Sequence, residues 1–262
     1  ENQTEIHAFT TESVYQIPNS GFEIFSNTES TKYYSFYNPA SSVVENQTKW
    51  WCSGNKGSTT VGTSYTITNP DQQDKMEGNY SVKLESKYVI IKFAAGNIFS
   101  GEFVRVIGTS GGVVNFGRPF TLRPRKLSLW LKYQNGPIDR FNGAPDNGSV
   151  KEGDMDRCQV FVALGDWDYR TYGGTPESPV QVNTTDRSTF FKSDSEAVIG
   201  YGAYVGDKAT DGWIKVEIPI EYVSVSRKPT HIIVSCAASM YGDYFTGSTS
   251  SILWIDGMEL VY

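Results

Sequence analysis

The sequence predicts an all-β chain, an antiparallel β-sandwich of the jelly-roll type. Three observations carry the prediction. Short runs rich in Val, Ile, Tyr, Phe and Trp recur between clusters of Gly, Asn, Asp and Pro, which is the signature of strands and turns. No stretch of about 12 residues carries an apolar face at helical spacing with fitting caps. Strands that follow one another without intervening helical segments favour antiparallel sheets over βαβ units.

In chain order, the runs 80–85, 88–94, 102–107, 126–133 and 157–164 read as strands. The runs 198–205, 213–220, 230–238 and 252–261 read the same way. Several of them show which side is buried. Leu127, Leu129, Leu131 and Tyr133 share one face of their strand, and Ser128, Trp130 and Lys132 share the other. Cys158, Val160, Val162 and Leu164 alternate with Arg157, Gln159, Phe161 and Ala163. Ile214, Val216, Ile218 and Ile220 alternate with Trp213, Lys215 and Glu217. A period of two with one polar face fits sheets that are wet on one side. Leu129, Val160, Val162, Val216 and Ile218 are therefore expected in one core between two sheets. Residues 140–156 and 166–194 read as long polar loops. Residues 1–18 read as a tether or an extra edge strand, and 19–262 as one sandwich domain.

Composition narrows the function classes. The chain has 262 residues, with 23 Lys and Arg against 29 Asp and Glu and a net charge of −6. An acidic chain without a basic stripe argues against nucleic acid as a partner. With 6 Trp, 16 Tyr and 14 Phe the apolar load is too heavy for a disordered chain. No apolar run approaches the roughly 18 residues of a membrane span. Cys52, Cys158 and Cys236 are odd in number and lack CxxC spacing, so they read as small buried hydrophobes, with pairing of two left open. The first residue is Glu1 rather than Met, which raises the expectation of a removed leader.

Few motifs survive a physical check. Gly108-Thr109-Ser110-Gly111-Gly112 matches the nucleophile-elbow string, but strands on both sides make it a hairpin loop. His7 falls in the tail and His231 inside an apolar strand, where packing is expected. Asp154/Asp156 and Asp166/Asp168 are fragments of a calcium loop and read as solvated loop carboxylates. An aromatic platform flanked by polar groups suits a sugar ring. Trp130 and Phe161 lie on the non-core side of their strands, beside Lys132 and Gln159, and Trp213 stands beside Lys215. Trp167, Tyr169 and Tyr172 alternate with charges in a loop and could wall one edge. Trp167 and Tyr169 lead this set because loops carry ligand contacts more often than strands. Packing is the alternative for each of them.

Asn19-Ser-Gly-Phe-Glu23, Gly78-Asn-Tyr-Ser-Val-Lys-Leu84 and Trp254-Ile-Asp-Gly-Met-Glu-Leu260 form a frame that resembles jelly-roll carbohydrate-binding modules with a galactose-binding-like fold. More specific are Ala94-Ala-Gly-Asn-Ile-Phe-Ser-Gly101, Phe116-Gly-Arg-Pro-Phe120 with Arg123-Pro124, and Lys132-Tyr133. The tail from Lys228-Pro-Thr-His through Ser239-Met-Tyr-Gly-Asp-Tyr-Phe-Thr-Gly247 to Trp254-Ile-Asp256 completes the set. Together, from about Gly21 to Tyr262, they resemble the putative carbohydrate metabolism domain family of gut bacterial surface and secreted proteins. The resemblance implies a jelly roll on an exported protein, at the cell surface as a lipid-anchored lipoprotein or secreted, that binds polysaccharide or oligosaccharide noncovalently. The alternatives are a glycoside hydrolase or polysaccharide lyase using loop carboxylates, and an adhesin or structural surface protein. It further implies that Glu23 and Asp256, on the paired first and last strands, share a structural calcium. Against this stands the reading of Glu23 as a surface carboxylate and Asp256 as the head of a turn at Gly257.

Overall fold

Alternating apolar residues become strands wherever two neighbours can pair, and the computed structural model, which describes residues 13–60, 65–145 and 150–262, shows where they do. In chain order the strands are β1 (Trp51–Cys52), β2 (Thr68–Asp71), β3 (Ser81–Glu85), β4 (Lys87–Val89), β5 (Lys92–Ala94), β6 (Asn97–Ile107), β7 (Gly111–Phe116) and β8 (Arg118–Pro119). They continue with β9 (Lys126–Gln134), β10 (Cys158–Gly165), β11 (Val180–Asn183), β12 (Val198–Gly206), β13 (Ile214–Pro219), β14 (Glu221–Tyr222), β15 (His231–Ala237) and β16 (Ile252–Val261). Among the described residues helix is confined to two single turns, α1 (Asn55–Ser58) and α2 (Tyr169–Tyr172), and to short 3-10 turns.

Two antiparallel sheets face each other. The small sheet runs β13-β9-β16-β3-β2, and the large one β11-β7-β6-β15-β10-β12-β14, with β1 on β6 and β8 on β15. Leu127, Leu129, Leu131 and Tyr133 of β9 meet Val160, Val162 and Leu164 of β10 in one core, joined by Val216 and Ile218 of β13. The alternation in the sequence thus faces inward as expected. The N-terminal segment closes the edge of β16 that β3 leaves free. Gln16 donates to and accepts from the Leu260 backbone (2.9 and 2.7 Å), and Met258 N–H donates to Ser20 O at 3.1 Å. Gly257, at φ +52°, lets β16 shift register between Asp256 and Glu259 while β9 stays continuous.

The run 88–94 is not one strand. Ile90 takes φ +56° and turns the chain, so β4 and β5 form a hairpin of their own. A β-branched residue is unfavourable there, and nothing in the sequence marks the turn. Residues 166–194 are also more structured than a loop, since they hold α2 and β11. They fold back over the outer face of the large sheet, where Phe99, Phe116, Phe161, Trp167, Val180 and Ile233 make a second apolar cluster. Among the described residues no helix is long and apolar enough to cross a membrane.

Candidate functional site

The outer face of the large sheet is a floor built in cross-strand rows. Phe99, Ser235 and Phe161 stand opposite one another on β6, β15 and β10. One step along the strands, Asn97, Ala237 and Gln159 form the next row. Above this floor opens a cleft of about 570 Å³. The β4–β5 hairpin walls it with Phe93, the β6–β7 hairpin with Phe103 and Val106, and the 184–193 segment with Phe190 and Phe191. Residues 239–245, which leave β15 and make a 3-10 turn, close the remaining side. Phe191 stacks on Phe161 at 5.0 Å and on Tyr201 at 6.4 Å, and Phe190 meets Tyr244 edge-on at 5.1 Å. Phe245 sits in the left-handed region at φ +58°, with Lys92 Nζ 4.0 Å above its ring.

A few polar groups break the apolar lining. Among the described residues, the Gln159 amide, the Ser235 and Tyr201 hydroxyls and the Asp243 carboxylate line the cleft without a side-chain hydrogen bond to protein. None of them is a sealed, unsatisfied atom, so each opens toward solvent in the cleft. Asp243 is the acidic residue among the described lining residues, and Lys92 the basic one. Desolvation by the surrounding protein pushes the Asp243 carboxyl up to about 6, although the residue is exposed to solvent at the cleft. Apolar walls with a small number of convergent polar groups are the usual form of a small-molecule site.

The aromatic residues singled out from the sequence fall in three places. Phe161 lies in the cleft floor, largely covered by Phe191, and is 8% exposed. Trp167 is 3% exposed and packs against Phe191 beneath the folded-back segment, so packing describes it better than a wall of the cleft. Tyr172 packs against the same cluster and shares a hydrogen bond with Ser195 at 2.8 Å. Tyr169, 40% exposed on α2, stands outside the cleft beside Arg170. Trp130 and Trp213 lie across the molecule, on the outer face of the small sheet. There the indole N–H groups of Trp254, Trp213 and Trp130 donate to Asp71, Asp74 and Glu77 at 3.0, 3.1 and 3.0 Å. The β2–β3 connection thus straps that face, one carboxylate per tryptophan.

Glu23 and Asp256 hold the same connection. Glu23 Oε1 accepts from the N–H groups of Asn79 and Tyr80 (2.7 and 3.1 Å). Asp256, 0% exposed, accepts from Met76 and Glu77 through Oδ2 (both 2.8 Å) and from Gly257 through Oδ1 (2.7 Å). Calcium takes 6–8 oxygen ligands, whereas these carboxylates face backbone N–H donors. That donor set does not fit calcium. Among the described residues no cluster of three His, Cys, Asp or Glu could hold a metal.

The remaining candidates resolve into structure. Gly108–Ser110 turn between β6 and β7 as a hairpin. His231 has both ring nitrogens engaged, with Thr230 Oγ1 and Pro176 O at 2.8 Å each, and burial lowers its pKa. His7 lies outside the described residues. Asp168 caps α2 and pairs with Arg170, and Asp166 pairs with Arg227. Asp156 is not solvated, being 1% exposed. Its Oδ2 accepts from Ser239 and Ser251 hydroxyls and Ser248 N–H at 2.6, 2.7 and 2.7 Å. It thereby anchors both ends of the 239–251 segment that forms the cleft's rim. Sequence reasoning missed Phe191, Tyr201, Asp243 and Phe245. The signal for the last lay in Tyr241-Gly-Asp-Tyr-Phe245, an aromatic cluster around one acid directly after a strand.

Comparison with known proteins agrees with this architecture. A crystal structure of a putative glycoside hydrolase from Bacteroides thetaiotaomicron superposes with a TM-score of 0.69 at 22% identity, covering 96% of this chain and 72% of that one. A second, a putative glycoside hydrolase from Bacteroides vulgatus, gives 0.64 at 21% identity, covering 92% and 96%. These likenesses establish the fold. No curated protein matches the chain. The model of the putative carbohydrate metabolism domain family matches residues 21–261, and the chain belongs to that family.

Proposed function

We propose that the cleft on the large sheet holds an oligosaccharide noncovalently. The observation that carries this is the combination of aromatic walls with polar side chains that make no side-chain hydrogen bond among the described residues, Gln159, Ser235, Tyr201 and Asp243. Sugar C–H faces pack on aromatic rings, and sugar hydroxyls would satisfy the free amide, hydroxyls and carboxylate. Membership of a carbohydrate domain family supports the same reading. Glycosidic hydrolysis usually needs two carboxyl groups roughly 5–9.5 Å apart across the scissile bond. The described lining residues supply one, Asp243.

The test is affinity electrophoresis of the protein through gels containing plant and host polysaccharides, with reducing-sugar release assayed on the same set. Retardation by at least one polysaccharide without sugar release is expected. Tyr201→Ala and Gln159→Ala should each weaken the retardation about tenfold. Sugar release that is lost in Asp243→Asn would replace binding with hydrolysis as the function.

A further inference from the structure

We infer that the cleft is built for a saccharide bearing an aromatic substituent, such as an aryl glycoside or an aryl ester, rather than for a bare glycan. The inference rests on the glycan reading and deepens it.

Polarity in the cleft is graded along the strands. Phe99 and Phe161 occupy one cross-strand row with Ser235 between them, and Phe191 stacks on Phe161 with its plane tilted by 12°. The adjacent row carries the amides of Asn97 and Gln159. Asn97 is already committed, accepting from Gly54 N–H and donating to Ala95 O at 2.9 Å each. Gln159 is left to face the cleft. The 3-10 turn holding Asp243 packs at this polar end, since a Cβ on Gly242 would stand 2.5 Å from Ala95 Cβ, two residues before Asn97. Successive rows on one sheet face lie roughly 7 Å apart along the strands. An apolar seat and a hydrogen-bonding seat are therefore adjacent, each about the size of one six-membered ring.

The character of the apolar seat makes the distinction. Phenylalanine predominates among the cleft's aromatic rings, and no tryptophan is among the described lining residues. Phenylalanine offers a ring face but no hydrogen bond at its edge, so it cannot serve the hydroxyl rim of a sugar stacked on it. A hydroxylated ring at that end would find, among the described residues, the Ser235 and Tyr201 hydroxyls, and would lose water from the rest of its rim against phenylalanine. A flat apolar ring has no hydroxyl rim to satisfy, while its sugar would reach Gln159 and Asp243 at the other end.

The experiment is calorimetric titration with matched pairs, the methyl and 2-naphthyl β-glycosides of glucose, galactose, xylose and cellobiose, with 2-naphthol as the sugar-free control. For at least one sugar the naphthyl glycoside should bind at least tenfold more tightly than both its methyl partner and naphthol. Phe191→Ala should reduce the naphthyl-to-methyl ratio to below threefold. Equal binding of methyl and naphthyl glycosides would overturn the inference and leave the glycan reading standing. Binding of naphthol as tight as that of every naphthyl glycoside would overturn both. Retention of polysaccharide in gels with no binding of any naphthyl glycoside would overturn the inference alone. The ratio on the parent protein decides the matter even if the variant folds poorly.

Discussion

Asp243 is the carboxylate of the cleft whose environment changes its chemistry. Its carboxyl is pushed up to about 6 by the surrounding protein, with no neighbouring cation to offset the effect. In the unfolded chain an aspartate titrates near 3.9. Between about pH 4 and 6 the folded state therefore binds more protons than the unfolded one, and stability from this group falls as pH rises through that window. Above pH 6 the cost is constant, and below pH 4 it vanishes. The side chain opens to solvent, so the full linkage value does not apply and an effect on the order of 1 kcal/mol is expected. Asp243→Asn should raise the melting temperature at pH 7 and leave it unchanged near pH 3.5. A parent and variant that differ equally at both pH values would show that ionisation is not the source.

At the scale of elements, the β2–β3 connection shows how a polar segment is fixed without a core of its own. Glu23 and Asp256 grip its backbone from the first and last parts of the chain, and three tryptophans take its carboxylates. Removing the Asp256 acceptor leaves the Met76 and Glu77 N–H groups without their buried carboxylate partner. Asp256→Ala should cost about 2–3 kcal/mol in urea unfolding, and excess EDTA should leave the parent's midpoint unmoved. A midpoint lowered by EDTA and restored by calcium would show that the carboxylates hold metal. The strands were legible wherever a period of two was long, as in β9, β10 and β13. They were not legible where pairing depends on a partner far away in sequence, as in β2 or the two-residue β1. The outward aromatics illustrate the limit for the site. Alternation told that Trp130 and Phe161 face away from the core, but not that they do so on opposite sides of the sandwich. It could not tell that one sits under a strap and the other under Phe191, because that is decided by where loops return.

For the whole molecule, the shared core predicts how the chain comes apart. Cys158 and Cys236 lie on neighbouring strands β10 and β15, paired through Val160 and Cys236, with both side chains facing the small sheet. Burial pushes the Cys158 thiol up to about 12 and raises that of Cys236 as well, so neither offers a thiolate at neutral pH. All three cysteines are free, and no crosslink ties the sheets together. Covering Cys158 and Cys236 requires Leu127, Leu129, Leu131 and the rest of the small sheet's inner face, because the two sheets bury one another. Either sheet alone would expose that whole surface, so the sheets should separate only in global unfolding. Labelling of Cys158 and Cys236 by a thiol reagent in increasing urea should then proceed at one rate, equal to the unfolding rate followed by tryptophan fluorescence. Cys52, on β1 at the outer cluster and only half-buried, should be labelled earlier. Labelling of Cys236 well before Cys158 would mean that β15 leaves the sheet by itself, which its place between β6 and β10 forbids if the sandwich unfolds as one unit.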